Sequence, residues 1–218
     1  VRIAAWLSIV FAVLSAIAIF LPGIELQVGG VTLGKRAKVS LYTAARDRDV
    51  VKTLIERYHA LGGKATGEKA ADFILAHAHK HAAKAHVDDA RDAMSSLDEV
   101  HGSDIQLAGR ALVGITLGYI AVVVAFVLVM FGATDEAKFS RRRAIAGVAV
   151  ALVLAAVAVA VHVGWSMGLA EANDDIGGEP FVLGIGADLM PVGALAALGS
   201  AIAALVLLLR AKRDAKPA

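Results

Sequence analysis

A mainly α, integral-membrane fold follows from three observations on the chain: a bundle of four transmembrane helices with an extracytoplasmic α+β domain made of a small antiparallel sheet and two helices. Of 218 residues, 58% are hydrophobic and only 19% charged, and the mean hydropathy is +0.68. A soluble domain of this size carries more charge on its surface. The apolar residues are also grouped into four stretches, and a single polar block, residues 25–107, separates the first stretch from the second.

A helix needs about 20 apolar residues at 1.5 Å rise to cross a roughly 30 Å hydrocarbon core. Ile3 to Ile24 carries one acid-free, base-free run and predicts a first span within residues 1–24. Uncharged runs from Ala111 to Thr134, Ala144 to Ala170 and Leu189 to Leu209 predict spans at 108–134, 144–166 and 189–210. Ala16-Ile17-Ala18 has the small-residue spacing of a signal-peptide cleavage site. However, the run is longer than such cores and its basic flank is Arg2 alone, so the segment reads as a span.

Lysine and arginine near span ends set orientation, because short basic loops stay cytoplasmic. The connection 135–143 holds Lys138, Arg141, Arg142 and Arg143, and the tail adds Arg210, Lys212, Arg213 and Lys216. The connection 167–188 holds Glu171, Asp174, Asp175, Glu179 and Asp188 and no lysine or arginine. Both termini are therefore expected in the cytoplasm, with 25–107 and 167–188 on the opposite side.

Within the outer block, Ile24-Glu25-Leu26-Gln27-Val28 alternates apolar and polar, Gly29-Gly30 follows, and Val31-Thr32-Leu33 resumes. Two glycines between alternating runs predict a hairpin, since the favoured turn needs positive φ at both central residues. Lys38 to Tyr42 reads as a third strand. Phe181 to Ile185 reads as another that pairs with the hairpin across the two outer segments. Val51, Leu54, Ile55 and Tyr58 follow helical spacing and predict a short amphipathic helix over 49–61. A longer helix over 68–100 carries a narrow apolar seam from Phe73 to Leu97 that must bury against the sheet, the short helix or another protomer. Ser103 with Gln106 forms a capping-box pattern ahead of the second span.

His77, His79, His81 and His86 cluster on the longer helix. His77 and His81 share one face at i, i+4, while His79 points nearly opposite. Two ligands thus converge, a third would come from elsewhere, and the acidic outer loop with Glu171, Asp174 and Asp175 is a donor on the same side. That set suits zinc or a similar divalent cation. The same histidines also read as a solvated polar face, or as groups that gain charge near pH 6.

Inside the spans Thr116, Tyr119, Ser200 and His162 are the main polar groups, with His162 beside Trp165 as an interfacial pair. Small residues recur at helical spacing: Gly114 with Gly118; Gly147, Ala151 and Ala155; Ala196, Ser200 and Ala204. Such rows let helix backbones approach, either within one bundle or between subunits.

A formal charge of +2 with dispersed basic residues excludes a nucleic-acid footprint. Absence of cysteine excludes disulfides, thiolate metal sites and a cysteine nucleophile. No His-Glu-x-x-His or phosphate loop occurs, so no enzyme is expected and no catalytic or cofactor-binding residue is assigned. The plan is similar to that of claudin-type tetraspan proteins. The tryptophan and paired cysteines of their first outer loop are missing, and no residue or barrier function is carried over. The expected role is a membrane scaffold or assembly subunit whose partners are lipid and other subunits or copies of itself. A proton- or cation-modulated oligomeric channel and a tethered metal-binding module are the alternatives.

Overall fold

The computed structural model describes residues 1–28, 31–32, 38–46, 110–132, 140–176 and 181–214. The 49–61 and 68–100 helices, the Ser103–Gln106 cap and the histidine cluster lie outside the described residues. In chain order the elements are α1 (Arg2–Ala18), β1 (Pro22–Val28), β2 (Val31–Thr32), β3 (Lys38–Ser40), α2 (Leu41–Arg46), α3 (Arg110–Phe131), α4 (Arg141–Ile176), β4 (Phe181–Leu183) and α5 (Ile185–Asp214).

Three helices are long and apolar enough to cross a membrane: α3, α4 and α5. The run Ile3–Ile24 is not one helix, because α1 stops after 17 residues. The residue before a proline is driven out of the α region, so Pro22 closes the helix from beyond its end. The last turn tightens into i→i−3 bonds from Ile19, Phe20 and Leu21 to the carbonyls of Ala16, Ile17 and Ala18. The apolar residues past Ala18 then enter β1, where Ile24 is fully buried.

The long helices pack as neighbours in a ring, α1 against α3 and α5, and α4 against α3 and α5. All four neighbouring pairs are antiparallel. Trp6 at the start of α1 meets Phe131 at the end of α3, ring centroids 6.1 Å apart. Gly186 abuts Ala18 and Leu21, while Gly193 abuts Phe11 and Ser15. Met130 seats on Gly147 and Leu112 on Gly164, pairing the two ends of α3 with α4. One end of the bundle therefore holds the sheet, and the other gathers Arg2, Arg141–Arg143, Arg210 and Arg213.

The interior is built from small side chains. Ala5, Ala12, Ala151, Ala155, Ala158, Ala194, Ala197, Ala201 and Ala204 are buried, whereas Leu128 is 71% and Leu152 60% exposed along with many other large aliphatic residues. Water would drive the opposite arrangement. Small residues inside and bulky apolar residues outside suit a lipid surround, where close backbone approach supplies the packing.

All strand pairs are antiparallel, and β1 is central. Its residues Pro22, Ile24 and Glu25 pair with Ser40, Val39 and Lys38 of β3. Ile24, Glu25 and Leu26 pair with Leu183, Val182 and Phe181 of β4, and Gln27 and Val28 with Thr32 and Val31 of β2. The expected joining of the two outer segments by strand pairing is present. Two boundaries differ. β3 ends at Ser40, whose hydroxyl accepts the Thr43 N–H at 3.1 Å and caps α2, so Tyr42 is helical. β4 ends at Leu183, and Ile185 already opens α5. Non-helical backbone next to an apolar bundle needs its polar groups met, and pairing on both edges does this for the first half of β1.

Candidate functional site

The polar side chains that bridge helices gather at the sheet end. Ser15 Oγ donates to the Met190 carbonyl at 2.6 Å. A hydroxyl has one proton, so the contact between Ser15 Oγ and Tyr119 Oη is donated by the tyrosine. One serine thus ties α1 to α3 and α5. Ser8, also buried, donates within its own helix to the Ala5 carbonyl.

A second junction joins α3 and α4. Thr116 Oγ1 donates to the Leu112 carbonyl one turn back at 2.7 Å and accepts the Trp165 indole N–H at 3.1 Å. Trp165 is wholly buried, so the expectation of an aromatic anchor at the lipid interface is corrected: its N–H has a partner inside the bundle.

The third junction answers a break in α5. Pro191 lies inside that helix and lacks the N–H that would bond the carbonyl four residues back, that of Ala187. His162 Nδ1 stands 3.1 Å from this same carbonyl. A carbonyl only accepts, so Nδ1 carries the proton, and α4 supplies the donor that α5 lost. Asp188 Oδ1 lies 3.9 Å from the same nitrogen but is mostly exposed.

Asn173 fixes the connection to the sheet. Its amide nitrogen donates to the Phe181 carbonyl at 2.8 Å and its oxygen accepts the Phe181 N–H at 3.0 Å. This contact accompanies the extension of α4 beyond its apolar stretch. Glu171 and Asp174 consequently stand on the last turns of the helix and not on a loop. On the sheet, Lys38 Nζ donates to Glu25 Oε1 at 2.8 Å between directly opposed residues.

The residues proposed for metal and packing are distributed as follows. His77 and His81 lie outside the described residues. Glu171 and Asp174 are exposed, and Asp175 is helical. Among the described residues, no group of three or more histidines, aspartates and glutamates is placed to hold a metal ion. Gly147, Ala151 and Ala155 are buried in the seams of α4, as is Ala204 on α5, with Ala196 and Ser200 half-buried. Gly114 and Gly118 face away from the bundle: a Cβ on either would meet no atom within 4 Å.

Sequence reasoning overlooked Ser8 and Ser15. The signal was available, since Ala5, Ser8, Ala12 and Ser15 recur at three- and four-residue spacing in the first apolar run, and all four are buried. No protein-family model matches the chain, and neither a curated protein nor a solved structure does.

Proposed function

We propose that the chain is a non-enzymatic membrane scaffold or assembly subunit, in which α1 joins α3, α4 and α5 as a fourth span. The arginine-bearing end and both termini lie in the cytoplasm, and the sheet belongs to an extracytoplasmic domain that contacts partners. The bundle interior supports this reading: its bridging hydroxyl, indole and imidazole groups are engaged in holding helices together.

The observation that carries the assembly role is the outward placement of Gly114 and Gly118. Many of the other small residues are turned inward where helices touch, although Gly199, Ala156 and Ala160 are exposed as well. On α3 this pair is spaced at i, i+4 on a face with no neighbour within 4 Å of either Cβ position among the described residues, the spacing at which transmembrane helices approach one another.

Two measurements test the reading. The absence of native cysteine allows single-cysteine mapping. Impermeant thiol reagent on intact cells should label Ala78→Cys and not Ala137→Cys, and the reverse pattern rejects the topology. In mild detergent, the mass of the purified complex should exceed that of one chain and should fall on Gly114→Leu with Gly118→Leu. A lone monomer without copurifying protein before mutation rejects the assembly role.

A further inference from the structure

We propose that the arginine-bearing end of the bundle is a binding surface for anionic phospholipid headgroups, beyond any part it plays in setting orientation. The inference rests on membrane embedding but not on self-association.

The fold brings together cations that are remote in sequence. Antiparallel packing of α3 on α4 lays the Arg143 guanidinium over Gly132, where a Cβ would stand 2.6 Å from Nη1. The contact of His162 with the Ala187 carbonyl fixes the register of α4 on α5, and counting back along α4 and forward along α5 brings Arg210 level with Arg141 to within about one turn. The seating of Gly193 on Ser15 likewise brings the start of α1, with Arg2, to the same end. Arg2, Arg141, Arg142, Arg143, Arg210 and Arg213 are all exposed, and none makes an ion pair among the described residues.

Three of these arginines occupy the first turn of α4, and no acidic residue accompanies them there. The N-terminal end of a helix carries the positive pole of its dipole, so cations are disfavoured at that position. An anion at this end relieves that repulsion together with the mutual repulsion of the arginines. Orientation in a membrane requires only positive charge, which lysine supplies equally well. Six of the seven cations on the described helices at this end are arginine, Lys212 being the other, and the planar fork of arginine bonds phosphate oxygens in pairs. Gathered at one end of an apolar bundle, they meet the membrane where lipid phosphates are found.

The test uses the full chain in neutral detergent, where orientation plays no part, with an equimolar mixture of phosphatidylglycerol and phosphatidylcholine and native mass spectrometry as the readout. The wild type should retain phosphatidylglycerol selectively. R141Q/R142Q/R143Q should lower that retention by about tenfold or more, with the helical circular-dichroism signal and melting curve recorded to show that the bundle is intact. R141K/R142K/R143K keeps the charge and removes the fork, and should still bind several-fold more weakly than wild type. Equal retention of both lipids by the wild type overturns the proposal, as does undiminished phosphatidylglycerol retention in either variant. Oligomer mass in the same spectra reads the assembly role separately.

Discussion

Toward the sheet, the helices meet through side chains that donate to oxygen: Tyr119 to Ser15, Ser15 to Met190, Trp165 to Thr116 and His162 to Ala187. Toward the arginines they meet through Ala5, Phe126, Ala201, Ala204 and the seating of Met130 on Gly147. The only buried hydroxyl described there, on Ser8, is spent inside its own helix. The difference has a backbone cause. At the sheet end α1 is stopped by Pro22 and α5 is interrupted by Pro191, so helices begin, end and lose hydrogen bonds where donors from neighbours are required. At the other end the described helical backbone is regular and steric fit suffices.

The sharpest break in this comparison comes from glycines whose neighbours differ in stiffness. A Cβ at Gly186 would lie 2.6 Å from the Ala18 carbonyl oxygen and 2.8 Å from that of Leu21. Both are backbone atoms held by the end of α1 and the start of the sheet. Gly186→Ala should destabilise by about 3 kcal/mol or more in reversible unfolding in mixed micelles. Gly147→Ala also meets an atom too closely, but that atom is the sulfur of Met130, at the end of a side chain with three rotatable bonds. Its cost should stay under about 1 kcal/mol. Equal losses at the two sites would remove the distinction between a rigid and a yielding end.

The next effect concerns the serine junction. Ser15→Ala leaves the Tyr119 hydroxyl without its acceptor and the Met190 carbonyl without the serine donor, and should cost about 1–2 kcal/mol in the same assay. Tyr119→Phe leaves the Ser15–Met190 bond in place and should cost less, about 0.6 kcal/mol. If Tyr119→Phe proved the more damaging, the serine would not be the centre of the junction.

What could be read beforehand divides along the same line. Three long apolar helices, the pairing of the strands that flank Gly29-Gly30 and the strand at Phe181 follow from local pattern, and α3, α4, α5, β1, β2 and β4 stand in those places. Helix length was less legible. An uncharged run measures tolerance for lipid, whereas Pro22 decides where α1 stops, and the Asn173–Phe181 contact accompanies the continuation of α4 past its apolar stretch. The junction residues were legible in part: Thr116, Tyr119 and His162 stand out as polar groups in apolar runs. Ser15 resembles any small residue until its partners, 104 and 175 positions away, come beside it. The direction of Gly114 and Gly118 depends on which face of α3 meets α1 and α4, a property of the assembled bundle.

The smallest effect isolates the proline. If His162 is present to serve the carbonyl that Pro191 leaves open, the two residues must be coupled, and the sign of that coupling is fixed. His162→Ala in the native background removes the donor at Ala187 and should cost about 1 kcal/mol. In a Pro191→Ala background the main-chain N–H returns, and the Ala187 carbonyl can take its ordinary helical partner. His162→Ala should then cost less, giving a coupling of about 0.5 kcal/mol or more in a double-mutant cycle. Independent costs would mean that the imidazole serves packing alone. A larger cost in the alanine background would mean that His162 has another partner, with Asp188, 3.9 Å away, the first to be tested by Asp188→Asn.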